Sequence, residues 1–195
     1  MTRAGACWGG LIKRWRVSAA VLGVLFMSGL ASGAWAAQPD PQRRVEATPA
    51  LADAQRAIEA GEFARASGLL AGVTGTEPDD AQAWFLLGYA RHALGELDGA
   101  MAAHRRAAEL GTGAMRATAI YNAACVHALQ GRIDEAFVTL RRSVAAGMTD
   151  VTQLQSGTDL ESLRDDARWA GVVEYAKNPS AMATRLHFWL GAWNV

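Results

Sequence analysis

Between residues 47 and 147 apolar positions recur every three or four residues, and short polar turns interrupt them. That period predicts amphipathic helices rather than strands. The clearest stretch is Ala81 to Leu110, AQAWFLLGYARHALGELDGAMAAHRRAAEL, which reads as two short helices joined at a Gly-Glu-Leu-Asp turn. The same pattern lies on both sides of it. Aligned on the glycine that ends each first helix, Gly61, Gly95 and Gly131 fall 34 and 36 residues apart, and the Gly111-Thr112-Gly113-Ala114 stretch absorbs the extra two. Other columns then come into register. Ala54, Gly88 and Ala124 are small; Phe63, Leu97 and Ile133 are apolar; Ala66, Ala100 and Ala136 are identical; Leu70, His104 and Leu140 follow, then Val73, Ala107 and Ser143.

These columns describe one physical unit. Two antiparallel helices approach closely only where side chains are small, and the columns of Ala54 and of Ala66 supply that approach. A glycine at each turn suits a left-handed helix cap. Acids at Glu62, Glu96, Asp98, Asp134 and Glu135 suit the positive end of each second helix. Leu51, Phe85, Tyr121, Leu69, Leu70 and Leu140 are the large residues expected to fill the space between helices and between units.

A unit of about 34 residues with Trp84, Leu87-Gly88, Ala100, Ala107 and a Gly-Glu-Leu-Asp turn resembles a tetratricopeptide repeat. The middle unit matches best, the third (YNAACVHALQGRIDEAFVTLRRSVAAG) matches well, and the first is weaker in its opening helix but closes with Pro78. Arg91, His127 and His104 depart from the pattern, standing where the family favours aromatic or large apolar residues. The resemblance implies an all-α, tetratricopeptide-type helical-hairpin solenoid of about three repeats, residues 47–147, with a helical C-terminal cap.

The flanks are of other kinds. Residues 1–16 are basic, Val17 to Leu30 is apolar, and Ala34-Trp35-Ala36 offers the small residues of a cleavage site, so residues 1–36 read as a secretory signal peptide. Cleavage is expected after Ala36 or Ala37, placing the chain in the periplasm or outside the cell by a bacterial-type route. The alternative is an uncleaved inner-membrane anchor, because Val17 to Ala37 is 21 uncharged residues and a span of about 20 suffices to cross a bilayer. Residues 37–46 lie in a proline-containing linker. Residues 148–178 read as helical but outside the period, with Asp150 and Asp165 or Asp166 as candidate helix caps and Asp159 preceding Leu160 and Leu163. An end cap is what a repeat stack requires. Asn178-Pro179-Ser180 breaks the helix, and the tail, residues 179–195, ends in RLHFWLGAWNV. Trp189, Gly191, Trp193 and Val195 resemble the opening strand of a bacterial lipocalin-like barrel, which would make the tail part of a truncated second domain. A docking segment laid on the cap is the alternative.

Composition narrows the function. The 195 residues are formally neutral, but the first 36 carry four cations and no acid. The remainder holds 15 basic against 19 acidic residues, so it is mildly acidic and lacks the basic footprint of a nucleic-acid binder. Once Cys7 is removed with the signal, Cys125 stands alone and no intrachain disulfide forms. His92, His104, His127 and His187 show no metal-ligand spacing. Cys125 and His127, two apart on a helix, face different ways and make no nucleophile-base pair. No phosphate loop or catalytic serine motif is present. Arg105-Arg106 and Arg141-Arg142 recur at equivalent places, a basic ridge expected on the solvated side.

What remains is the inner stripe of the first helices. Phe85, Tyr89 and His92 share a face at helical spacing, and Tyr121, Cys125 and Ala128 share the equivalent face one unit later, with Asn122 beside them. The resemblance implies that this face lines a concave groove in which Asn122 holds an extended peptide by its backbone. The alternative is that these aromatics are packing residues. The reading is therefore a non-catalytic protein- or peptide-binding scaffold of the bacterial envelope, without cofactor, metal or nucleic acid, and touching a membrane only if the signal stays attached. An accessory module of a lipocalin-like ligand-binding protein is the second reading.

Overall fold

The computed structural model describes residues 49–180, and all of their regular structure is helical. The signal segment with Cys7, the linker, His187 and the barrel-like tail beyond Ser180 lie outside the described residues. Six helices form three hairpins: α1 (Pro49–Glu59) with α2 (Phe63–Thr76), α3 (Ala81–Ala93) with α4 (Leu97–Leu110), and α5 (Gly113–Leu129) with α6 (Ile133–Ala145). Each helix packs on the next along the chain, so the hairpins stack in sequence order.

The turns repeat because the chemistry repeats. Gly61, Gly95 and Gly131 have φ of +76°, +77° and +72°, a region that costs glycine little and other residues much. Each closes its helix in the same way. The glycine N–H donates to the carbonyl of Ile58, His92 or Ala128, and the following N–H donates to that of Ala57, Arg91 or His127. This paired bonding satisfies carbonyls that a helix end would otherwise leave open. At the start of α3 the Asp80 carboxylate accepts from the N–H groups of Gln82 and Ala83 at 2.8 and 3.0 Å, and the Trp84 indole donates to the Pro78 carbonyl at 2.8 Å. The small columns do what their size predicts: Ala54, Ala66, Ala100, Ala124 and Ala136 are wholly buried.

Two apolar cores result. One joins α1 to α4 through Leu51, Ile58, Leu70 and Leu87. The other joins α5 and α6 to the cap through Tyr121, Phe137, Leu140, Leu154, Leu160, Leu163 and Val172. The cap consists of α7 (Val151–Ser156), a 3-10 helix (Thr158–Leu163) and α8 (Arg168–Lys177). Asp150 caps α7 by accepting from Gln153, and Asp166 accepts from the Arg168 N–H just ahead of α8.

The cap also carries the period further than its sequence suggests. Val172, Val173 and Ala176 on α8 are buried, as are Ala136, Phe137 and Leu140, each 36 residues earlier on α6. So α8 repeats the burial pattern of α6 at one-unit spacing, but it packs on α6 itself, the place that the first helix of a following unit takes in the repeats. The apolar period in the sequence misses this repetition because a six-residue helix and a 3-10 turn, rather than a full helix, separate α6 from α8. Among the described residues no helix is long and apolar enough to cross a membrane.

Candidate inner-face site

The six residues expected to line the inner face divide into two groups. Phe85 and Tyr89 on α3 are half-buried. His92 on α3 and Tyr121, Asn122 and Cys125 on α5 are buried, with 5%, 0%, 0% and 1% of their surface exposed. The closure of α5 has a visible cause: the 3-10 helix of the cap packs directly against it. Leu160 and Leu163 enter the same core as Tyr121 and Cys125, and the Tyr121 hydroxyl donates to the Gln153 carbonyl at 3.4 Å. The third unit's stripe therefore faces the chain's own cap and not solvent.

The cap reaches one unit further. His92 Nε2 lies 3.2 Å from Asp159 Oδ2, and both side chains are largely buried. This contact links the second unit to the cap across the third. The sequence marks Asp159 only as the residue before Leu160 and Leu163, because its long-range partner leaves no local signal.

Behind His92 stands His104 on α4, wholly buried. Its ring lies 6.2 Å from that of His92 and 6.4 Å from Phe85, both edge-on. Neither His104 nitrogen has a hydrogen-bond partner. Burial, reinforced by the neighbouring His92 charge, lowers its pKa from 6.5 to about 3, because a charged imidazole here would lose its hydration. His104 is thus a neutral wedge in a place where the repeat pattern favours an apolar residue. Its room comes from Gly88: a Cβ added there would stand 2.5 Å from His104 Nδ1. Gly88→Ala is expected to destabilise the protein by about 1–3 kcal/mol through overpacking, measured by denaturant unfolding. Gly88→Ala combined with His104→Ala is expected to lose less than the two separate costs added together.

Other placements are simpler. Tyr89 meets the Phe63 ring edge-on at 5.8 Å, and burial raises its phenol pKa. Cys125 is the buried helix residue its position predicted. Asn122 is wholly buried with neither side-chain polar atom hydrogen-bonded. Among the described residues no three His, Cys, Asp or Glu side chains gather as a metal site would require.

Stacked antiparallel hairpins with small-residue contacts, glycine turns of one geometry and a terminal cap define a helical-hairpin repeat protein. More particularly, residues 51–115 match the family model of the tetratricopeptide repeat, and the fold is an all-α solenoid of that type. Such repeats generally serve as non-catalytic scaffolds that mediate protein–protein interaction. No curated protein matches the chain.

Proposed function

We propose that the chain is a peptide-binding scaffold of the bacterial envelope that engages its partner along the inner face of the first two units. The observation that supports this placement is the contrast along one stripe. Phe85 and Tyr89 keep part of their surface open, whereas Tyr121 and Cys125 are closed by the cap and Asn122 is wholly buried. The partner's contact is accordingly apolar, made by two rigid aromatics that lose little conformational freedom on binding. Asn122, the residue the family resemblance marks for backbone recognition, is wholly buried and so is not presented to the partner in this structure. The basic, apolar and small-residue sequence of residues 1–36 supports export, with a mature N-terminus at Ala37 or Gln38.

A photo-crosslinking side chain placed at Phe85, and separately at the exposed Ala64 of α2, tests the site in living cells. A discrete adduct from position 85 and none from position 64 is expected. Equal adducts from both positions, or none from either, would remove the inner face as the binding site.

A further inference from the structure

The outer side of the stack carries a charge pattern independent of the inner stripe. Eight of the described arginines have a visible partner. Arg56 pairs with Asp53, Arg65 with Glu62, Arg91 with Glu96, Arg106 with Asp79 and Glu109, and Arg168 with Asp134 and Asp166. Arg116, Arg132 and Arg164 are held by carbonyl or amide oxygens. Arg105, Arg141 and Arg142 are the described arginines without one, and all three are exposed. Their positions are not scattered. Arg105 on α4 and Arg141 on α6 are 36 residues apart, and Lys177 on α8, exposed as well, is 36 further on. Burial is in register along all three helices: His104, Leu140 and Ala176 are buried immediately before them. One uncompensated cation thus stands at the same place on the second helices α4 and α6, with Arg142 doubling the second, and Lys177 continues the interval on α8, which packs on α6.

Two further observations bear on this face. His127 on α5 has its pKa lowered first by burial and then by the charge of Arg132, with Glu135 opposing and Arg105 adding to the lowering, so the Arg105 charge is felt at the neighbouring helix. Val138, one helical turn before the Arg141-Arg142 pair, is 60% exposed, the most open large apolar side chain described.

We propose that Arg105, Arg141, Arg142 and Lys177 form a docking ladder for an acidic polypeptide segment of a partner. Rigid helices hold the cations at one-unit intervals, which an extended chain advancing about 3.3 Å per residue can follow with carboxylates several residues apart. Complementary charge of this kind sets encounter rate and register more than raw affinity. Val138 supplies one apolar contact at the middle of the ladder. A single exposed valine offers far less apolar area than a membrane-inserting face presents, which favours a polypeptide over a lipid surface.

The test uses the full chain and a fluorescently labelled decaglutamate peptide, followed by anisotropy. Wild type is expected to bind, and R105Q/R141Q/R142Q to bind about tenfold or more weakly. R56Q/R65Q, which removes the same kind of charge from α1 and α2, is expected to bind as wild type does. Raising salt from about 50 to about 200 mM is expected to weaken the wild-type complex. Thermal unfolding confirms that the variants are folded; K177Q, at an exposed helix end, supplies a second and milder loss if the triple variant is not. No binding by wild type overturns the ladder, as does equal loss in R56Q/R65Q. Binding to phosphatidylglycerol vesicles but not to the peptide overturns it in favour of a lipid surface. Crosslinking at position 85 is unaffected by any of these outcomes, so the two surfaces stand or fall separately.

Discussion

Lowering the pH from about 7 to about 5 is expected to destabilise the folded chain by about 2 kcal/mol through His104 alone. The sign follows from proton uptake. An unfolded histidine takes up its proton near pH 6.5, whereas buried His104 resists it down to about 3. Between those values the unfolded state holds more protons, so stability falls as pH falls. The contribution is complete above pH 6.5, declines by up to about 1.4 kcal/mol per pH unit below it, and levels off below about 3. Asp166, held well down by Arg168 to about 2, acts in the same direction but only in the more acid range. Urea unfolding of wild type and His104→Leu across this interval separates the causes. The variant is expected to lose the His104 part of the slope and, being free of two unpartnered nitrogens, to be at least as stable at neutral pH. An unchanged slope in the variant would show that some other group carries the acid sensitivity.

Leu160→Ala is expected to cost about 2–5 kcal/mol, the range for deleting a fully buried leucine from a packed core. Leu160 is wholly buried and lies in the 3-10 helix that covers α5, in one core with Tyr121, Leu154 and Leu163. The loss therefore falls on the contact that closes the third unit's stripe. Global stability and amide exchange in α5 are expected to change together. A fall in global stability without faster exchange around Tyr121 and Cys125 would mean that the cap and α5 are less tightly coupled than their packing implies.

Much of the fold was legible in the sequence because its signals are local and repeated. The glycines at 61, 95 and 131 each dictate the same turn, and the alanine columns dictate the same close approach; three copies reinforce one another. His104 was visible as a departure from the pattern, although its lowered pKa depends on Gly88 and His92 closing around it. The state of the inner stripe was not legible. Tyr121, Asn122 and Cys125 have the spacing of a binding face, and spacing alone does not reveal what covers it. The cover is a 3-10 helix, too short to display a period, and its anchor is a contact between His92 and Asp159, 67 residues apart. The repeated burial pattern of α8 escaped for a related reason: the segments between α6 and α8 are too short to display a period.

The His92–Asp159 contact also bears on how such a stack comes apart. Where each layer touches only its neighbours, a linear array can fray from either end one layer at a time, like a zipper. Here the last segment is tied past the third layer to the second. Lifting the 3-10 helix off the third layer must also break its contact with the second, so these layers are bound toward a single melting event.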